Sequence, residues 1–381
     1  MEWSFELSLT IFLIISAVSV AIMIATKSRL SLPFVFGVII IAGFAFNIFP
    51  KDFAIKTKLL EVGTIAFNVL IIHAGTMFDF SKIKLNKNAF IIAITSVIVM
   101  SIVVIFGLGP IFGWELALLA PASMLGTGAT NAIASIGILK TMPQLSAFPW
   151  LLFMFQGFFG LPIYAVMLKK IKGKSDDGLI SKDEVEVETT IKKAFHEKIP
   201  DKYKSTGYYL GILMILSLLN RWFYNWALAD LGISINLTAL IIGMVIGQLG
   251  LIERAPLKKS DSFGLLMLGL MCLMAQSFAN IPIQGVLGLM IPVIVCFIVC
   301  TLSLCIVGLA LSKKLGFKKH MGVAIAISCM VPMPTNSIII RSMFGDDVKR
   351  ANMLVGNMDM GSLYMMNIFS VLLISILMYF I

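Results

Sequence analysis

Pro121-Ala122-Ser123-Met124-Leu125-Gly126-Thr127-Gly128-Ala129-Thr130-Asn131 lies inside an uncharged apolar run, 116 to 139, yet it makes a poor stretch of lipid-facing helix. Two glycines within three residues relax the backbone, and hydroxyl and amide side chains follow directly. A second stretch answers it: Ala129-Thr130-Asn131-Ala132-Ile133 aligns with Pro334-Thr335-Asn336-Ser337-Ile338 at an offset of 205 residues. There Pro332 and Pro334 remove amide donors at the corresponding depth of the run 321 to 340. Both runs are therefore expected to break in the middle and expose main-chain N–H and C=O groups. Within a bilayer such groups are tolerated only against protein or a wet cavity, so the two stretches predict one shared polar site.

The surrounding chain gives this reading its setting. Of 381 residues, 59% are hydrophobic and only 13% charged, with a mean hydropathy of +0.98, which excludes a soluble enzyme and a disordered scaffold. Twelve apolar runs follow one another: 7 to 26, 33 to 49, 62 to 78, 89 to 109, 116 to 139 and 148 to 168, then 207 to 228, 234 to 252, 262 to 280, 284 to 312, 321 to 340 and 352 to 381. A polar stretch from Lys169 to Lys204, with ten lysines and eight acids, divides six runs from six and reads as a cytoplasmic linker or surface helix. Its Glu184, Glu186, Glu188 alternation suggests no catalysis. The five cysteines, Cys272, Cys296, Cys300, Cys305 and Cys329, occupy apolar stretches without C-x-x-C spacing and read as small hydrophobes. The N-terminus lacks the basic segment of a cleaved signal peptide, so the first run is expected to remain as a span.

Charge placement selects between topologies. If all twelve runs cross, the better orientation puts twenty Lys and Arg inside and nine outside, and ten of the twenty belong to the central stretch. If runs five and eleven dip in and return, with the N-terminus outside, the inside collects twenty-five basic residues against Lys51, Lys56, Lys58 and Lys140. The expectation is an all-α polytopic membrane protein of two inverted repeats, 1–168 and 207–381, joined by a linker at 169–206. Each repeat has five transmembrane helices and one re-entrant hairpin, at 116–139 and 321–340. An odd number of spans per half inverts the second half, so the hairpins enter from opposite faces and their tips meet near the midplane.

The candidate site residues follow from that geometry. Helix N-termini at the breaks favour a carboxylate, while opened carbonyls with Thr130, Asn131, Thr335 and Asn336 suit a bare Na⁺. The binding set comprises Gly126, Thr127, Gly128, Thr130, Asn131, Pro334, Thr335, Asn336, Ser337, Asp359 and Asn367. Asp359 is the one carboxylate well inside a span; it reads either as part of the cation site or as a partner of Arg341 or Arg350. Arg221, inside run seven, reads as snorkelling toward Asp230 or as gripping a substrate carboxylate. Asn68, His73 and Thr76 in run three, Gln276 and Ser277 in run nine, and Gln156 in run six are polar groups that also serve as helix-bridging hydrogen bonds. The many methionines, Met353, Met358, Met360, Met365 and Met366 among them, read as packing.

Enzyme signatures fail in turn. His196-Glu197 lacks the second histidine of a zinc-protease helix, and Gly173-Lys174-Ser175 lacks the first glycine of a phosphate loop, position 168 being Leu. No G-x-S-x-G occurs. The chain is expected not to be an enzyme, to carry no cofactor besides a coupling Na⁺, and to bind no nucleic acid.

Several motifs carry a likeness over nearly the whole chain. Gly126-Thr127-Gly128-Ala129 resembles the G-T-G-A of the first re-entrant loop in the bacterial sodium/glutamate symporter family, and Met333-Pro334-Thr335 resembles the T-P-T of its second. Gly160-Leu161-Pro162, the segment Ile72 to Lys82, Phe344-Gly345 and Gly356 through Asn367 are similar to further elements of that family. The resemblance implies a homodimeric carrier of the bacterial inner membrane, both termini outside, moving L-glutamate inward with Na⁺. Ser123, Met124 and Leu125 replace the family's glycine and histidine ahead of G-T-G-A. Leu32-Pro33-Phe34 lacks its acid, and its late carboxylate falls nearer Tyr364 than Asp359. Uptake of a 2-hydroxycarboxylate or another organic anion stays open beside glutamate, as does a channel or structural membrane protein.

Overall fold

The computed structural model describes residues 3–26, 30–139, 141–173, 195–231 and 233–381. Lys27, Arg29, Lys140 and the Gly173-Lys174-Ser175 match beyond Gly173 lie outside the described residues, as does the Glu184 to Glu188 alternation. Among the described residues the chain is helical throughout, without a strand. The first half runs α1 (Phe5–Ala25), α2 (Leu32–Ala45), α3 (Phe53–Lys56), α4 (Leu59–Thr76), α5 (Phe80–Leu85), α6 (Lys87–Phe112), α7 (Trp114–Leu125), α8 (Gly128–Leu139) and α9 (Phe148–Lys172). The second runs α10 (Thr206–Phe223), α11 (Ile235–Gln248), α12 (Pro256–Lys259), α13 (Phe263–Ala279), α14 (Ile283–Ser312), α15 (Lys319–Ser328), α16 (Met333–Phe344), α17 (Val348–Asp359) and α18 (Ser370–Leu377). A π-helical stretch, Met360–Phe369, joins α17 to α18, and another, Tyr224–Leu228, extends α10.

Six of these stretches are long and apolar enough to cross a bilayer: Phe5–Ala25, Leu59–Thr76, Lys87–Phe112, Pro143–Lys172, Ile283–Ser312 and Val348–Phe380. They mark a membrane-embedded protein. Their flanks explain where they begin. Ser4, Ser31, Ser205 and Ser234 each accept a hydrogen bond from a backbone N–H in the first turn of α1, α2, α10 and α11, meeting one orphan donor of each helix end. The apolar runs at 116–139 and 321–340 are each two helices, as expected from their glycines and prolines. The breaks fall at Gly126-Thr127 and between Cys329 and Pro332. The helix expected to end at 168 continues to Lys172.

Helix α4 is held between α11 and α13 at separations only glycine permits. A Cβ on Gly243 would stand 2.2 Å from the Ile72 carbonyl oxygen, and one on Gly63 would stand 2.4 Å from that of Gly269. Between apolar helices in lipid, small residues of this kind gain contact by letting backbones approach. Beyond this seam, α6 packs on α7 and α9 on both α7 and α15, while α14 packs on α6 and α15. Exposed Ile14 and Ile24 on α1, Phe106 on α6, and Ile291 and Ile306 on α14 face outward. All five cysteines are free thiols, four buried and Cys305 half-buried. Arg221 and Asp230 are both exposed and form no ion pair with one another.

Candidate functional site

Gly126 has extended backbone angles, φ −76° and ψ 166°, and closes α7; a Cβ there would lie 2.6 Å from both the Ala122 carbonyl oxygen and the Thr130 side chain. The end of α7 leaves carbonyls without intrahelical donors, and two side-chain amides supply them. Gln156 Nε2 donates to the Met124 carbonyl at 2.7 Å, and Asn131 Nδ2 donates to the carbonyls of Thr127 at 2.9 Å and Ser123 at 3.3 Å. At the other break, Ser328 Oγ donates to the carbonyls of Ile325 and Met358. Asn336 donates from Nδ2 to Ser362 Oγ at 3.0 Å and accepts at Oδ1 from the Tyr164 hydroxyl.

Both breaks open on one cavity of about 280 Å³. Thr127, Gly128 and Ala129 line it from the start of α8, and Pro332, Met333 and Thr335 from the start of α16. The first N–H groups of both helices have no acceptor within their own helix, and their dipoles bring partial positive charge to the same space. Ser31, Gln156, His73 and Asn367 complete the polar wall, and Lys258 of α12 is its one cationic side chain among the described lining residues. Lys258 Nζ lies 3.8 Å from Met333 Sδ, at the first residue of α16. The remaining surface is apolar, with Leu70, Ile71, Phe153, Phe263, Met267 and Leu270 prominent. Asn367 donates from Nδ2 to the carbonyls of Ser362 at 3.3 Å and Leu363 at 3.2 Å, inside the π-helical stretch.

The expected site residues thus divide. Thr127, Gly128, Thr335 and Asn367 come together on the cavity wall. Thr130, Asn131 and Asn336 are fully buried behind it, Thr130 bonded to Ser370 Oγ at 2.9 Å. Ser337 is half-buried and outside the lining, and Pro334 stands at the second position of α16, its side chain outside the described residues. Asp359, half-buried at the end of α17, accepts from Ser362 Oγ at 3.4 Å, while Arg341 donates to Asn352 and Arg350 to the Ile171 carbonyl. Lys258 is the functional candidate that the sequence reading used only as a loop charge. No local pattern marks it, because it reaches the cavity from a four-residue helix.

A second cavity, about 360 Å³, lies further along the same helices, between Phe67 of α4, Ile133 and Ile136 of α8, Ser375 of α18, and Ser234 and Asn236 at the start of α11. From Ile71 to Phe67, Ala129 to Ile133 and Val371 to Ser375 the two cavities stand four residues apart, about 6 Å of helix. Asn236 Oδ1 and Ser375 Oγ, buried at this second cavity, have no hydrogen-bond partner. Among the described residues no group of three or more His, Cys, Asp or Glu side chains is placed to hold a metal ion. Comparison of the chain with family models and with curated proteins finds no match.

Proposed function

We propose that the protein is a secondary transporter that carries a small organic carboxylate across a bacterial inner membrane by alternating access, coupled to Na⁺. The carrying observation is the convergence of two broken segments on one cavity, each contributing a helix N-terminus, with Lys258 beside them. Positive helix ends aimed at a midplane cavity are the recurrent device by which inverted-repeat carriers hold an anion.

The same packing supports the re-entrant, inverted arrangement. Thr130 bonds Ser370 and Gly137 faces Met378, so α8 runs alongside α18. Helix α7 also packs on α18 and on the final turn at Met378–Phe380, so both arms of the pair reach one end of the last helix. Helices α7 and α8 begin at 114 and 128, and α15 and α16 at 319 and 333, the 205-residue offset that relates Thr130 to Thr335. The second cavity supports alternating access: it lies on the side of Ser234 and Tyr379, one helical turn from the first, with Ile133 in its own lining and Leu70 and Val371 in that of the first. For Na⁺, the support is two buried oxygens without partners beside the first break, Asn131 Oδ1 and Ser123 Oγ. The test is uptake of labelled carboxylates into proteoliposomes. Accumulation that follows an imposed Na⁺ gradient is expected, and flux indifferent to that gradient refutes the coupling.

A further inference from the structure

His73 is 2% exposed and lines the cavity, yet its Nε2 has no partner. The backbone N–H of Leu257 donates to its Nδ1 at 3.2 Å, which makes Nδ1 an acceptor, keeps the ring neutral and places its hydrogen on Nε2. A buried donor without an acceptor is costly, so His73 keeps one hydrogen bond unmade in the wall of the cavity. Leu257 adjoins Lys258, so one short helix both fixes the tautomer of His73 and brings in the ammonium.

Beside this cluster of donors the wall carries only neutral polar groups, Ser31, Thr127, Gln156, Thr335 and Asn367, and is otherwise hydrocarbon and aromatic ring. No carboxylate side chain lines the cavity among the described residues; Asp359 stands outside the lining, though near enough to interact electrostatically with Lys258. A substrate ammonium has no acidic partner there, and a second carboxylate has no second cation. Either charge would be stripped of water against Leu70, Phe153 or Met267, at a cost of several kcal/mol. At about 280 Å³ the space lies just below the range typical of drug-sized ligands and suits a metabolite of modest size.

Resting on the carrier reading, we infer that the substrate is a small organic monoanion with an apolar body. Its one carboxylate is received by His73 Nε2–H, Lys258 and the two helix ends, and its body lies on the wall from Leu70 to Met267. Glutamate, with two carboxylates and an ammonium, does not match this distribution of charge.

The experiment measures thermal stabilisation of the purified full chain and uptake into proteoliposomes for five probes. These are 4-methylpentanoate, 4-methyl-2-oxopentanoate, L-leucine, succinate and L-glutamate. The two monoanions are expected to stabilise and to be accumulated, at concentrations about tenfold or more below those needed for the other three. Lys258→Gln should weaken monoanion binding by about tenfold or more and Lys258→Arg should restore most of it, a contrast that loss of packing alone does not give. His73→Gln, which keeps a donor, should bind more tightly than His73→Phe. Preference for glutamate or succinate overturns the substrate inference and leaves the carrier reading intact. Binding of monoanions without any flux supports the inference and overturns the carrier reading. Unaltered binding in Lys258→Gln, exposed at the cavity mouth and thus safe for folding, overturns the assignment of the anion site.

Discussion

Replacing Gly243 by alanine tests whether the clasp around α4 is as tight as its geometry states. The new Cβ would stand 2.2 Å from the Ile72 carbonyl oxygen and 3.0 Å from the Gly75 Cα, both backbone atoms that no side-chain rotation can move away. Carbon and carbonyl oxygen tolerate about 3.3 Å, so α11 and α4 must part by about 1 Å along the whole seam. Overpacking of this kind costs about 1–3 kcal/mol, and the loosening also withdraws contacts at Gly75 and Gly247. Gly107 is the control: on the exposed side of α6, a Cβ there meets nothing within 4 Å. Alanine there should be neutral or stabilising by about 0.5–1 kcal/mol through the helix backbone. Scanning fluorimetry of both variants in one detergent should show Gly243→Ala melting several degrees below wild type and Gly107→Ala at or above it. Equal melting temperatures for the two variants refute the argument that the seam is closed by backbone contact.

Asn336 and Thr335 are adjacent but should behave differently. Asn336→Ala strands the Tyr164 hydroxyl and should cost about 1–3 kcal/mol in thermal stability, while Thr335→Ala should reduce substrate binding with little change in melting. Tyr164→Phe combined with Asn336→Ala should cost less than the sum of the single changes, which a double-mutant cycle in melting experiments checks. Acid stability should report Glu253. Burial pushes its carboxyl up, but hydrogen bonds from Lys204, Lys259 and Tyr209 outweigh that and hold it at about 2 against an ordinary 4.5. A lowered folded-state value gives stability that is complete above pH 4.5 and lost as pH falls toward 2, so Glu253→Gln should flatten the melting profile over that window. Gln156→Leu leaves the Met124 carbonyl without its donor and should impair both stability and transport, measured by melting and by uptake.

Much of the helical order was legible because charge and turn residues punctuate the apolar runs, and both broken segments announce themselves through Gly126, Gly128, Pro332 and Pro334. The direction each side chain takes was not. In a soluble helix an apolar stripe shows which face is buried, but here lipid-facing Ile291 and core-facing Phe297 are equally hydrophobic. Thr130, Asn131 and Asn336 could therefore be placed beside the breaks without revealing that they are buried behind the cavity wall. The role of His73 depends on a backbone N–H 184 residues away, a relation that no local pattern encodes. The π-helical winding of Met360–Phe369 has no sequence signal as plain as glycine or proline.

That wide winding decides what Asn367 can offer. A primary amide has two hydrogens, and Asn367 Nδ2 donates to the Ser362 and Leu363 carbonyls within the wide turn. Only the oxygen is left to look into the chamber, so this corner presents lone pairs and greets an O–H or N–H while turning away any anionic oxygen. Chemical taste and helical pitch thereby meet in one side chain: a visitor that claimed the amide hydrogens would have to displace two carbonyls of the wide turn.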